Sequence, residues 1–263
     1  MTVQSAYQRE TIGNVNLKKT GDRHAQPQPY VQPHPAEQAQ PYVQPHPVQQ
    51  ARPYTPPQPY SVPRPVQQPK VSFMRMPELA NPVERGQKTQ LFAEAEGRSR
   101  QLDVCFGWNT DDPACDMDAS AFLLTDEMRV MSDDWFVFYG QTVSPDGAAA
   151  FYASAGADRE KITLDLRRLE RRITRIVFVL TIDEALEKGL DFGRVRDLYM
   201  RVLDPGTGRE LVSFRPDAPL KGITSMTMGE IYLKSGMWRF NPVGNGVKQD
   251  LAGQCGIYGV QIC

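Results

Sequence analysis

No histidine occurs beyond His46; all three, His24, His34 and His46, lie near the N-terminal end. That removes Ser/His and Cys/His nucleophile pairs from the remainder of the chain, together with the commonest proton shuttle near neutral pH. Chemistry based on carboxylates or lysine stays open. The four cysteines, Cys105, Cys115, Cys255 and Cys263, form no CxxC pair, so the usual zinc and dithiol signatures are missing. Excess positive charge is missing too. Residues 71–263 carry 23 Lys and Arg against 28 Asp and Glu, which leaves no basic stripe to neutralise phosphates, and nucleic acid is not an expected partner. The longest strongly apolar run, 176–180, is far too short to span a bilayer, and residues 1–10 are polar where a signal peptide would be apolar. A soluble cytoplasmic protein with reduced thiols is the expectation.

Proline is abundant but confined. Fourteen of the 22 fall within residues 1–70, a stretch with no apolar period and too few large apolar side chains to bury a core. Residues 1–24 include one candidate strand, 11–22, which is either first-strand material like 86–91 or a chance match. From 25 to 70 the chain is rich in Pro, Gln and Tyr, and the octapeptide QPYVQPHP occurs at 28–35 and again at 40–47, a twelve-residue repeat. Proline fixes φ and removes backbone donors, so a disordered or polyproline II linker is expected, serving as a spacer or as a ligand for a proline-recognition partner.

Residues 71–263 read as one domain of short strands broken by turns. The strands expected are 102–106, 119–124, 135–139, 162–166, 175–180, 199–203, 211–214, 227–233 and 237–241. Turns at 145–147, 204–206 and 235–236 separate several of them. Two helices, 182–188 and 247–255, interrupt the pattern. Many strands of this length favour an all-β, two-sheet β-sandwich with short helical connections.

The segment Cys-Asp-Met-Asp-Ala-Ser-Ala-Phe-Leu-Leu at 115–124 resembles the signature of TerD-type tellurium-resistance and general-stress proteins. Other segments follow in register. Gly107-Trp108-Asn109 is similar to the family's Gly-Trp-Asp element, 134–139 to its Asp-hydrophobic-Phe-Tyr strand, and Ser144-Pro145-Asp146-Gly147 to its hairpin turn. IVFVLTIDEA at 176–185 resembles IVFVVTIHEA, and DFGRVRDLYMR at 191–201 resembles NFGQVRNAFIR. The C-terminal elements 229–232, 238–240, 243–246 and 258–260 agree as well. The resemblance runs from about residue 87 to the C-terminus and implies a β-sandwich, a non-enzymatic role in stress response or tellurium resistance, and calcium held by acidic loops at one end of the sandwich.

Calcium takes six to eight oxygens from carboxylates and carbonyls. The candidate metal ligands are Asn109, Asp116, Asp118, Asp134, Asp146, Asp158 and Glu160, with Asp111, Asp112 and Asp133 nearby. Asp116 and Asp118 are two apart, so an extended backbone points both to one face and Met117 to the other. A shared cation and an ordinary capped, solvated strand start are evenly matched readings of that pair. The loop 152–160 is shorter than the family's Asp/Gly-rich one, and Gly140-Gln141 stands where two asparagines are common, so a degenerate calcium-free site is the alternative.

Three further features carry bland readings. Gly244-Asn245-Gly246 lacks the context of a nucleotide site and is expected to be a tight turn. Trp108, Trp135 and Trp238 are expected in the core. The arginine-rich 167–175 connector is expected to be a solvated face. Apolar neighbours suggest that Cys105 and Cys255 are buried and that Cys115 and Cys263 are accessible. The functional expectation is therefore a binding or scaffold module with no catalytic residues, whose partners are other stress-response proteins, including membrane-associated ones. A carboxylate-based enzyme is the alternative from another class.

Overall fold

The computed structural model describes residues 73–92, 101–153, 158–217 and 220–261. The candidate strand at 11–22, the proline-rich stretch and Cys263 lie outside the described residues. Among the described residues, eleven strands form two antiparallel sheets. They are β1 (Thr89–Gln90), β2 (Gln101–Thr110), β3 (Met117–Leu124), β4 (Phe136–Val137), β5 (Ala149–Ala153), β6 (Glu160–Asp165), β7 (Arg175–Ile182), β8 (Val195–Leu203), β9 (Glu210–Phe214), β10 (Ser225–Lys234) and β11 (Met237–Val247). One sheet runs β1-β11-β10-β7-β3-β4 and the other β5-β6-β2-β8-β9.

Alternation along the strands builds the layers. In β3, Met117, Ala119, Ala121 and Leu123 face the other sheet. In β2, Leu102, Val104, Phe106 and Trp108 do the same from the opposite side. Phe106 and Phe178 meet across this core with ring centroids 6.0 Å apart. Truncating either ring would cost about 3–5 kcal/mol by the usual cavity argument.

The strand β7 is apolar on both faces because both are covered. Ile176, Phe178 and Leu180 point into the sandwich, while Val177 and Val179 point outward beneath a C-terminal helix, α2 (Leu251–Tyr258). Phe122, Leu124, Phe136, Cys255, Tyr258 and Val260 complete that second cluster. A carboxylate starts α2: Asp250 accepts from the Gly253 amide at 2.8 Å, and Gly259 closes the helix at φ 83°. This cap explains why the helix begins at Leu251 rather than at 247, which still belongs to β11. The first expected helix is likewise reduced to α1 (Ala185–Lys188), since β7 extends to Ile182.

Two turn expectations have different outcomes. Ser235-Gly236 is a two-residue hairpin with φ 52° and 76°, as its sequence suggests. Gly244-Asn245-Gly246, expected as a tight turn, lies instead inside β11, where Asn245 and Gly246 pair with Thr227 and Met226 of β10. The glycines serve close packing: a Cβ at Gly246 would lie 2.4 Å from Ile223, and Gly244 sits at φ 58° under the Phe214 ring. Among the described residues, no helix is long and apolar enough to cross a membrane.

Candidate functional site

The acidic residues gather near the strand ends, and the elements carrying them decide which way each one points. Asp158 precedes β6 and is only 4% exposed. Its Oδ1 accepts from the Tyr199 hydroxyl at 2.8 Å and from Arg201 Nε at 3.0 Å, and its Oδ2 accepts from Arg201 Nη2 at 2.8 Å. Tyr199 and Arg201 alternate along β8 with the core residues Leu198, Met200 and Val202, so this network lies on the face of the five-stranded sheet turned away from the other sheet, where it is nonetheless buried. The two-pronged guanidinium contact is the strongest geometry available to such a pair.

Glu160 turns the other way. Its Oε2 accepts from the Ala119 amide of β3 at 2.5 Å, linking the two sheets. The strand β4 is only two residues long and pairs with Ala121 and Phe122, so it does not reach Ala119. The carboxylate supplies the partner that strand pairing leaves out.

The loop between β2 and β3 is matched to the start of β8. Asp112 Oδ2 pairs with Arg194 Nη1 at 2.6 Å, Asp112 Oδ1 accepts from the Ala114 amide at 3.0 Å, and Asp111 pairs with Arg196. Asn109, buried in β2, donates through Nδ2 to the Met74 carbonyl at 3.0 Å and to Asp197 Oδ2 at 2.9 Å, while its Oδ1 accepts from the Met74 amide at 2.8 Å. Asp146 stitches its hairpin to the 165–170 connector, accepting from Ser144 Oγ, the Ala148 amide and the Glu170 amide.

Asp116 and Asp118 stand on either side of Met117, the first residue of β3. Met117 and Ala119 are core residues, so Asp118 between them lies on the outer side of the six-stranded sheet, while Asp116 just precedes β3. Asp116 also accepts through its carbonyl from the Asp183 amide at 2.8 Å. Asp133 Oδ1 accepts from the Gln261 amide at 2.9 Å, and Asp134 is exposed on a single 3-10 turn.

The seven candidate ligands are thus distributed over different surfaces. Asn109 and Asp158 belong to the outside of one sheet, Asp118 to the outside of the other with Asp116 just before it, Glu160 to the space between, Asp134 to an exposed 3-10 turn and Asp146 to its hairpin. Among the described residues, no group of three or more His, Cys, Asp or Glu side chains is gathered as metal ligands would be. As placed, these donors do not fit the six to eight oxygens around one point that calcium requires.

The three thiols among the described residues are buried. Burial pushes Cys115 up to about 11 and Cys255 up to about 12, and it drives Cys105 higher still, helped by the nearby Asp158 carboxylate. Cys115, expected to be accessible, is buried in the core beside Met117. Trp108, Trp135 and Trp238 are core residues as expected.

A family model for the TerD domain matches residues 79–258. The chain belongs to the TerD family. The match covers the whole sandwich and begins some residues before position 87, where the sequence resemblance starts. The tellurium resistance protein TerD of Serratia marcescens is 31% identical over 176 residues, covering 64% of this chain and 92% of that protein. General stress protein 16U of Bacillus subtilis is 29% identical over 187 residues, covering 68% and 96%. In fold, the TerD domain is similar to the crystal structure of SAV2460, a protein of unknown function, at TM-score 0.50 and 22% identity over 62% of this chain and 98% of that one.

Arg194, Arg196, Tyr199 and Arg201 are the partners of these acidic residues that the sequence did not mark. For Arg196, Tyr199 and Arg201 the signal was the polar residues interleaved with apolar ones along β8, which names no partner.

Proposed function

We propose that this TerD-family chain acts by binding, as a non-enzymatic module of the stress-response and tellurium-resistance class, and that its fold is held without calcium. The observation that carries this reading is the Arg201–Asp158 pair. A buried carboxylate gripped by a guanidinium already has its counter-charge and its hydrogen bonds, which is what an ion would otherwise supply. The pairs Arg194–Asp112 and Arg196–Asp111 repeat the arrangement in the loop before β3. The raised thiol values support binding over redox turnover, because the nucleophilic thiolate is scarce at neutral pH. The partners fitting this reading are other stress-response proteins in the cytoplasm, met through the outer faces of the sandwich.

The second reading, a calcium-dependent module, is favoured by one observation, the placement of Asp116 and Asp118 two residues apart at the start of β3. Growth of a deletion strain under tellurite separates the two. The account expects sensitivity that both the natural chain and a folded Asp116→Ala/Asp118→Ala variant reverse. Failure of that variant to rescue, or a deletion strain as resistant as its parent, would reject it.

A further inference from the structure

Met74 and Met76 stand two residues apart on the segment that precedes the sandwich, and both line one cleft beside the five-stranded sheet. The local geometry follows from one reciprocal contact. The carboxamide of Asn109 accepts from the Met74 amide at 2.8 Å and donates to the Met74 carbonyl at 3.0 Å, so Met74 shows its N–H and C=O to the same side, as an extended backbone does. Extended backbone alternates its side chains, and exposure along the segment alternates accordingly. Phe73 and Arg75 are exposed, while Met74 and Met76 are half-buried. Two thioethers are thereby turned toward the same cleft, and the Arg75 charge between them is turned out.

The other walls of the cleft suit a cation. Trp108 and Tyr199 line it, and Asp197 adds a carboxylate. Asp197 Oδ2 accepts from Asn109 Nδ2 at 2.9 Å, whereas its Oδ1 is only loosely paired, 3.9 Å from Arg215 Nη2. Asp197 holds φ 54°, uncommon for a residue with a side chain, and it falls at the irregularity in β2–β8 pairing between Gly107 and Asn109; bulges of this kind re-aim side chains. The space between these walls is too tight for an organic molecule, which leaves an ion. The donors decide which ion. Thioether sulfur is soft and polarisable and selects copper(I), whereas calcium and magnesium take oxygen. The face of an indole attracts a cation as well. Spacing alone makes no site: Met226 and Met228 repeat it in β10, but both are 0% exposed in the core, where they pack as hydrocarbons.

We propose that Met74 and Met76 form a site for a soft monovalent cation, copper(I), with Trp108 and Tyr199 as its polarisable walls and Asp197 as its counter-charge. Neither thioether belongs to the acidic set considered for calcium, so the two ions are told apart by which residues respond to them. Asn109 acts as a positioning residue: it holds the Met74 backbone and the Asp197 carboxylate at once.

Silver(I) is the probe, because it shares the softness of copper(I) and needs no reductant. The full chain is used in its Cys263→Ser form, labelled at the methionine methyl carbons, in chloride-free buffer. It is titrated to about five equivalents, more than the three buried thiols can bind. The Met74 and Met76 methyl signals, assigned from Met74→Leu and Met76→Leu, should shift together and saturate, while those of Met226 and Met228 stay in place. Met74→Leu/Met76→Leu conserves volume and apolarity, so it should fold with the urea midpoint of its parent and bind one equivalent fewer. Asp197→Asn keeps an acceptor for Asn109 and tolerates the left-handed backbone, and through its lost charge it should weaken the site several-fold. Calcium at the same concentrations should move neither methyl. Signals of Met74 and Met76 that stay in place throughout or move separately, a silver stoichiometry that the double leucine variant leaves unchanged, an Asp197→Asn chain that binds as tightly as its parent, or equal shifts with calcium would each overturn the proposal.

Discussion

Arg201 grips Asp158 with two bonds, of 3.0 Å from Nε and 2.8 Å from Nη2, across 43 residues of sequence. Both side chains are largely out of water, so the pair matters more through what its breakage leaves behind than through its own attraction. Arg201→Ala should destabilise the domain by about 3–5 kcal/mol, read from urea unfolding, because it strands a buried carboxylate. Arg201→Lys should recover only part of that loss, since an ammonium cannot bridge both oxygens. A loss below about 1 kcal/mol for the alanine variant would mean that water reaches Asp158 freely.

Gly107 shows how tightly the same network is packed. A methyl group there would lie 2.1 Å from the Tyr199 ring, whose hydroxyl donates to Asp158. Gly107→Ala should cost roughly 1–3 kcal/mol of overpacking. The addition of Tyr199→Phe should then cost less than it does in the natural chain, because the hydroxyl contact is already displaced. Additive losses in that double-mutant cycle would contradict the geometry.

The buried thiols give a pH prediction. Cys255 is raised from an ordinary value of 9.0 to about 12 by burial, so the folded state keeps the proton that the unfolded chain gives up. Its contribution to stability is complete below pH 9 and is lost as pH rises from there toward 12. The urea midpoint should fall over that range, and Cys255→Ala should flatten the part of the fall that this thiol causes. In a Cys263→Ser background at pH 8, the remaining thiols should react with a disulfide reagent at least a hundredfold more slowly in the native than in the unfolded chain. Rapid labelling of native Cys115 would show that its burial is transient.

Much of the architecture could be read from strand-length apolar runs, and nine expected strands have counterparts. The misses have local causes. Ala149–Ala153 is too rich in alanine to stand out as a strand, and β1 is two residues long. Gly244 to Gly246 carries turn residues because rings and a branched side chain crowd β11, a fact of packing that spacing cannot reveal. The site was less legible. Asp118 lies on the outer side of β3 as period-two alternation requires, but Asp158 and Glu160, two apart, diverge because β6 begins only at Glu160. Asp112 meets Arg194 across 82 residues, which no local pattern encodes. One signal was visible. The Gly-Trp-Asp and Val-Arg-Asn elements of the family pattern appear here as Gly-Trp-Asn and Val-Arg-Asp, and residues 109 and 197 are hydrogen-bonded to each other. The exchange leaves one amide and one carboxylate in contact, and it gives position 109 the donor that Met74 requires.

Calorimetric titration of the metal-stripped protein with calcium tests the central claim most directly, run beside the Asp116→Ala/Asp118→Ala variant. An acidic set already satisfied by Arg194, Arg196 and Arg201 predicts no saturable heat in either protein and no rise in Tm at millimolar calcium. Saturable binding to the natural chain that the double variant abolishes would contradict the account and place an ion on the outer face of β3.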